Sequence, residues 1–143
     1  MKSQEITVYR EVQRNAQMAM KAIDTISDKI YDKELARVIS RQSMKYSEFT
    51  NKATQQLLDA KAEPYRSSYF QDLMLKMGIQ TNTLLNISTG HIAELMIKGS
   101  NNGILELEKI LRHNKEAGEP STQLARQLID LEEQSIQSLK DFL

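Results

Sequence analysis

The stretch from Thr89 to Asn114, TGHIAELMIKGSNNGILELEKILRHN, sets the expectation for the whole fold. Its apolar residues recur at the spacing of one helix face, at Ile92, Met96, Leu107 and Ile110. Gly99 and Gly103 lie four residues apart on that face, and residues 101–103, Asn-Asn-Gly, could instead form a turn. Because the apolar period keeps its phase across both glycines, we predict one continuous helix over residues 91–115.

Three further stretches carry the one-sided apolar pattern of long helices, and we predict these helices over residues 4–30, 33–62 and 121–142. Asp32 is a suitable N-cap for the second of them. Pro64 is expected to end it, because the residue before a proline avoids the helical region.

Residues 65–88 form an unusual segment between the second and third helices. Phe70, Met74 and Met77 give it an apolar face, while Gly78 weakens it as a helix. As a loop it would be too long for a compact domain, whereas about 20 helical residues would span roughly 30 Å. We therefore predict a long, partly helical crossover, whose apolar face packs on the core or contacts a second subunit or partner helix.

These elements predict an all-α fold, with a single domain over residues 1–143 built as an up-down four-helix bundle. The connections are short, long and short in chain order. Short connections make antiparallel neighbours, whereas a crossover along the bundle makes the second and third helices parallel.

The composition limits the possible functions. Nineteen basic residues balance nineteen acidic ones, so no basic excess suggests nucleic acid, and little net charge opposes self-association. There is no cysteine, which excludes disulfides and thiolate chemistry. No stretch has the character of a signal peptide or a transmembrane segment. We expect a cytoplasmic protein that forms a homo-oligomer or binds a protein partner.

Two patterns, HIAE at residues 91–94 continuing to Lys98 and Gly99, and LEEQSI at residues 131–136, resemble a bacterial ferritin-like family known mainly as a domain of unknown function. The resemblance covers most of the chain. It implies a ferritin-like four-helix bundle and no particular activity.

The wider ferritin-like group is associated with a di-metal site, in which two helices each supply a Glu and the other two each supply a Glu-x-x-His pair. No Glu-x-x-His occurs in this sequence. Tyr46 and Phe49 occupy core positions on the second helix where a ligand pair could stand, and the nearest remnant, Glu48 to Asn51, ends in Asn. We therefore expect no catalytic, cofactor-binding or metal-ligating residue, and no enzyme.

An atypical metal site is the main alternative. His91 and Glu94 form a reversed His-x-x-Glu pair on one side of a helix, and with Glu48 they could bind iron or manganese in an oxidase-like relative. The simpler interpretation is that His91 bonds locally near a helix N-terminus while Glu94 is solvated. Gln42 interrupts an apolar stripe, and Ser135 or Asn102 could satisfy its amide.

The sequence therefore favours a non-catalytic protein-interaction or structural module, with Gly99 and Gly103 as packing or interface positions. A metal-binding relative and a binder of a small apolar ligand between helices stay open as alternatives.

Overall fold

The computed structural model describes residues 2–65 and 88–143. Helix α1 spans Ser3–Ile26 and continues into a short 3-10 helix at Ser27–Lys29. Helix α2 spans Lys33–Asp59, α3 spans Thr89–His113 and α4 spans Ser121–Lys140. These two ranges contain no strand, so the predicted all-α class is confirmed. Phe70, Met74 and Met77, with most of the predicted crossover, lie outside the described residues.

Side-chain caps fix where two of the helices begin. The Leu35 amide donates to Asp32 Oδ1 over 2.9 Å, which confirms the predicted cap of α2. The His91 amide donates to Ser88 Oγ over 3.3 Å at the start of α3. From there α3 runs without interruption through Gly99 and Gly103, so the continuous helix is confirmed and the turn at residues 101–103 is not formed.

The end of α2 differs from the prediction, which placed it at residue 62 before Pro64. The helix ends at Asp59, because Lys61 adopts a left-handed backbone with φ of 57°. The Ala62 amide then donates to the Leu57 carbonyl over 2.9 Å, and the Lys61 amide donates to the Leu58 carbonyl over 3.0 Å. These two hydrogen bonds form a Schellman motif, which satisfies carbonyl groups of the last helical turn. The motif turns the chain away from the helix axis before Pro64 is reached.

Contacts between the helix ends define their directions. Arg10 Nε donates to the Glu63 carbonyl over 2.7 Å, so α1 begins where α2 has just ended. The Glu116 amide, beyond α3, donates to Gln4 Oε1 over 2.9 Å at that same end of the bundle. Helices α2 and α3 are therefore parallel, and each is antiparallel to α1.

The opposite end of the bundle brings together the start of α3 and the end of α4. A Cβ atom added at Gly90 would lie 3.6 Å from the Leu143 carbonyl carbon, so α3 and α4 are antiparallel. It follows that α2 and α4 are also antiparallel.

One hydrophobic core lies between the four helices. Helix α1 packs against the other three and α2 also packs against α4, whereas α2 and α3 make little direct contact across the bundle. Among the most deeply buried residues are Val12, Ala16, Ile26, Leu35, Ile39, Tyr46, Ile92, Leu107, Leu128 and Leu139. Within residues 2–65 and 88–143, no helix is both long and apolar enough to cross a bilayer.

Candidate functional site

A tyrosine and a glutamate meet inside the bundle. Glu132 of α4 is only 5% exposed, and Tyr46 of α2 is buried more completely. The Tyr46 hydroxyl donates a hydrogen bond to Glu132 Oε1. These residues are 86 positions apart in sequence, so the bond joins the α1–α2 hairpin to the α3–α4 hairpin.

Burial governs the protonation of this pair. It raises the pKa of Glu132 from its ordinary value of 4.5 to about 7, because a carboxylate loses its solvation inside the bundle. Hydrogen bonds from Tyr46 and Ser100 oppose that shift. Burial, followed by the neighbouring Glu132 carboxylate, also raises the pKa of Tyr46 well above its usual value of 10. Near neutral pH the phenol therefore keeps its proton, while Glu132 is poised between its neutral and charged forms.

Gly103 provides the space that the glutamate occupies. A Cβ atom added there would lie 2.9 Å from Glu132 Oε2 and 3.6 Å from Asn15 Oδ1. The side of α3 at Gly103 thus faces the interior, which favours the packing role over a subunit contact for this residue. Gly99, one turn earlier, is half-buried.

A row of polar side chains leads from Asn15 towards the surface. Asn15 Nδ2 donates to the Glu11 carbonyl over 2.9 Å and to Glu11 Oε1 over 3.0 Å. Arg14 donates to the same Glu11 Oε1 over 2.7 Å. Asn15 thus bonds Glu11 through its Nδ2 atom, while its Oδ1 atom and the Glu132 carboxylate both lie close to Gly103.

Two further polar side chains are buried about one turn or less along the helices from the Tyr46–Glu132 pair, Gln42 on α2 and Ser135 on α4. Gln42 is 5% exposed, and neither its Nε2 nor its Oε1 atom has a hydrogen-bond partner. Ser135 Oγ is close enough to lower the pKa of Tyr46, but it makes no hydrogen bond of ordinary length and angle. Asn102 is exposed, so the predicted bond from Gln42 to Asn102 or Ser135 is not formed.

The candidate metal ligands lie elsewhere. His91 Nδ1 and Glu94 Oε2 are 4.0 Å apart on the outside of α3, and Lys98 Nζ lies 3.3 Å from Glu94 Oε1. Glu48 is exposed on α2. Across residues 2–65 and 88–143, no three His, Asp or Glu side chains come together as a metal-binding group, so Glu48 does not join His91 and Glu94.

An open groove of about 230 Å³ runs between α2 and α4 beside the buried pair. Its lining consists of Lys45, Glu48, Phe49, Gln127, Asp130, Leu131 and Gln134. Phe49, predicted to occupy a core position with Tyr46, is half-buried: it packs against the core and also lines this groove. The groove thus combines apolar side chains with charges of both signs.

Glu132 is the residue that the sequence analysis missed. The apolar residues that recur along α4 include Leu124, Leu128 and Leu131, and Glu132 is not one of that apolar series. The available signal was its spacing, because Glu132 follows Leu128 by four residues and therefore lies on the same side of the helix. Its neighbour Glu133 is exposed, so residue type alone could not distinguish the two.

Comparisons with protein-family models, with curated proteins and with solved structures found no match to this chain.

Proposed function

We propose that this protein is a ferritin-like helical bundle that acts through protein contacts as a non-catalytic module, and that it is not a metal-dependent oxidase. The Tyr46–Glu132 hydrogen bond carries this proposal. Ferritin-like metal proteins place several carboxylates and histidines in the bundle centre. Here a phenol occupies the core position on α2, and Glu132 is the one buried carboxylate among the described residues.

The chemistry of the pair also argues against tight metal binding. Metal ligands must be deprotonated, and with a pKa of about 7 the Glu132 carboxyl group is only partly in that form near neutral pH. The Tyr46 proton would also have to leave before the phenolic oxygen could act as a ligand, and its raised pKa opposes that loss. The pair is better suited to joining the two hairpins than to binding iron or manganese.

Metal analysis and thermal melting test this part of the proposal. Protein purified without an affinity tag or chelator should contain no stoichiometric transition metal, and added Fe(II) or Mn(II) should not raise its melting temperature. A ligand that binds only the folded state must raise that temperature by mass action. A rise at near-stoichiometric metal that is lost in His91→Ala or Glu94→Ala would favour the atypical metal site instead.

The contact role is supported by the outer surface of α2. Met44 and Leu58 are both exposed and lie about four turns apart on one side of the helix. The chain has no net charge to oppose association. We propose that this side of α2 takes part in a homo-oligomer contact.

Sedimentation velocity tests the contact directly. The unaltered chain should sediment as an oligomer at micromolar concentration, and the double variant Met44→Glu/Leu58→Glu should shift towards the monomer. Leu105→Glu, at an exposed apolar position on α3, is the matched control and should leave the distribution unchanged. A monomer at all concentrations, or an equal effect of the control, would contradict the proposed contact.

The groove supports a second candidate function, the binding of a small ligand. The half-buried Phe49 and the buried Leu131 offer apolar surface, while Lys45 and Asp130 could pair with charges on a bound molecule. A fragment screen monitored by amide chemical shifts would test this, with shifts expected for residues of both α2 and α4. Shifts spread over the whole surface would argue for non-specific binding.

A further inference from the structure

The buried side-chain amide of Gln42 has no hydrogen-bond partner. A glutamine side chain carries two N–H donors and a carbonyl acceptor, and leaving them unpaired in a core destabilises the folded state. Neither its Nε2 nor its Oε1 is paired here, and the hydroxyl of Ser135 is also buried without a bond of ordinary geometry. Both side chains are more than nine-tenths buried.

These unpaired groups lie in one layer of the bundle. Gln42 precedes Tyr46 by four residues on α2, and Ser135 follows Glu132 by three residues on α4. Because α2 and α4 are antiparallel, both residues are displaced from the Tyr46–Glu132 bond in the same direction along the bundle axis. The displacements are about 6 Å for Gln42 and about 4.5 Å for Ser135, from the helical rise of 1.5 Å per residue. Ser135 Oγ also lies near the Tyr46 phenol.

A partner for this layer must both donate and accept hydrogen bonds. The amide nitrogen needs an acceptor, the amide oxygen needs a donor, and a serine hydroxyl can serve in either sense. The partner must also be uncharged, because an ion would lose its solvation there and neither Gln42 nor Ser135 carries a charge to compensate it. It must be small, because the surrounding core is closely packed by residues such as Ile39 and Leu139.

We propose that Gln42 and Ser135 form an internal binding site for an ordered water molecule beside the Tyr46 phenol. A buried water commonly makes about three hydrogen bonds to polar groups that otherwise lack partners, which suits the groups in this layer. With the bound water, hydrogen bonds between α2 and α4 continue from the Tyr46–Glu132 pair for about one further helical turn. It also explains why a glutamine is tolerated within the apolar stripe of α2.

Nuclear magnetic resonance of the unaltered protein tests the site without any substitution. The side-chain amide protons of Gln42 should show cross-relaxation with a long-lived bound water. Gln13 is the matched control: its Nε2 donates to Thr54 Oγ1 over 2.7 Å, and its Oε1 accepts from the Tyr65 amide over 2.6 Å. Its amide protons should show no such signal. Absence of the signal at Gln42, or equal signals at both glutamines, would overturn the proposal.

A double-mutant cycle provides a second and independent test. Gln42→Met keeps the length of the side chain but removes its polar atoms, and Ser135→Ala removes the hydroxyl. If both groups bind one water, their effects on the unfolding equilibrium constant are coupled by about threefold or more. The control cycle of Gln13→Met with Ser135→Ala should show smaller coupling, because these residues share no partner.

The direction of the single-variant effect is equally informative. A bound water makes Gln42 a net contributor to stability, so Gln42→Met should lower the melting temperature. A rise in melting temperature, or a Gln42→Met/Ser135→Ala coupling below about threefold, would show that the polar atoms are unpaired and that no water binds there.

Discussion

Gln13 and Gln42 are both buried, with exposed fractions of 2% and 5%, but their surroundings differ. Gln13 lies towards one end of the bundle, where its amide bonds Thr54 of α2 and the backbone of Tyr65 beyond that helix. Gln42 lies next to the Tyr46–Glu132 pair and bonds no protein group. At the end of the bundle, the polar atoms of Gln13 are all paired, in part with the backbone. At the centre, the hydrogen bonds are between side chains, and they depend on the proton of Glu132 and on the water proposed at Gln42 and Ser135.

This contrast separates two uses of buried polar residues. At the bundle end, Gln13 and Arg10 hold the chain where it leaves α2, and neither contact passes through a titrating carboxyl group. At the centre, the bond between the hairpins depends on the ionisation of Glu132. Changes in pH should therefore act on the centre, whereas substitutions at Gln13 should act on the end.

The pH dependence of stability should give the largest effect. The folded state retains the Glu132 proton up to a pKa of about 7, whereas the unfolded chain loses it near 4.5. The contribution of Glu132 is thus most favourable below pH 4.5, declines as the pH rises to about 7, and then stays constant. A difference of about 2.5 pKa units corresponds to about 3 kcal/mol. Urea unfolding between pH 4.5 and pH 8 measures this loss.

The control for this experiment is Glu132→Gln, which keeps an acceptor for Tyr46 but cannot ionise. The decline between pH 4.5 and pH 7 should be absent in that variant. An equal decline in both proteins would assign the pH dependence to other groups.

Gln13→Met should destabilise the protein by about 2 kcal/mol, because it removes two hydrogen bonds and leaves the Tyr65 amide without its acceptor. Hydrogen exchange should show faster exchange at Tyr65 and little change at the centre of α4. A loss of protection spread evenly over all helices would mean that the end network is not a separate local unit.

Gly103→Ala should destabilise the protein by about 1 kcal/mol. Alanine gains about 1 kcal/mol of helix propensity over glycine, but its Cβ would press on the buried Glu132 carboxylate, and overpacking costs about 1–3 kcal/mol. In a Glu132→Ala background the same substitution should stabilise by about 1 kcal/mol. Thermal melts of the four proteins measure this reversal, and the same sign in both backgrounds would contradict the packing role of Gly103.

Lys61→Gly should give the smallest effect, a stabilisation of about 0.5 kcal/mol. A left-handed backbone costs an ordinary residue about 1–2 kcal/mol, and the greater freedom of glycine in the unfolded chain offsets part of the gain. Chemical denaturation can resolve this difference. Lys61→Ala, which keeps the strain, should remain close to the unaltered protein.

The helices were predictable from the sequence because their signals are local. Asp32, the apolar period through Gly99 and Gly103, and the short break after Ile30 each act within one or two turns. The end of α2 was misplaced because Lys61, a residue with no marked preference for a left-handed backbone, closes the helix before Pro64 does.

The candidate site was only half predictable. Tyr46 was placed in the core by its position in the stripe of α2, but its partner was not found. Glu132 and Glu133 are adjacent and chemically identical, and which of them is buried depends on how α4 is rotated against α2 and α3. That rotation is set by packing between helices and cannot be read from the sequence of α4 alone. The space for the Glu132 carboxylate, for example, is provided by Gly103 on α3.

The 86 residues between Tyr46 and Glu132 have a consequence for the kinetics of folding. Each hairpin can form from contacts that are near in sequence, but Glu132 becomes buried only when α4 meets α2. Between pH 4.5 and about 7 that encounter must be accompanied by proton uptake from solvent. The pH dependence of stability can be divided between the folding rate and the unfolding rate. The larger the part found in the folding rate, the more completely the two hairpins have come together in the transition state. A single buried proton can thus serve as a probe of folding order without any substitution in the chain.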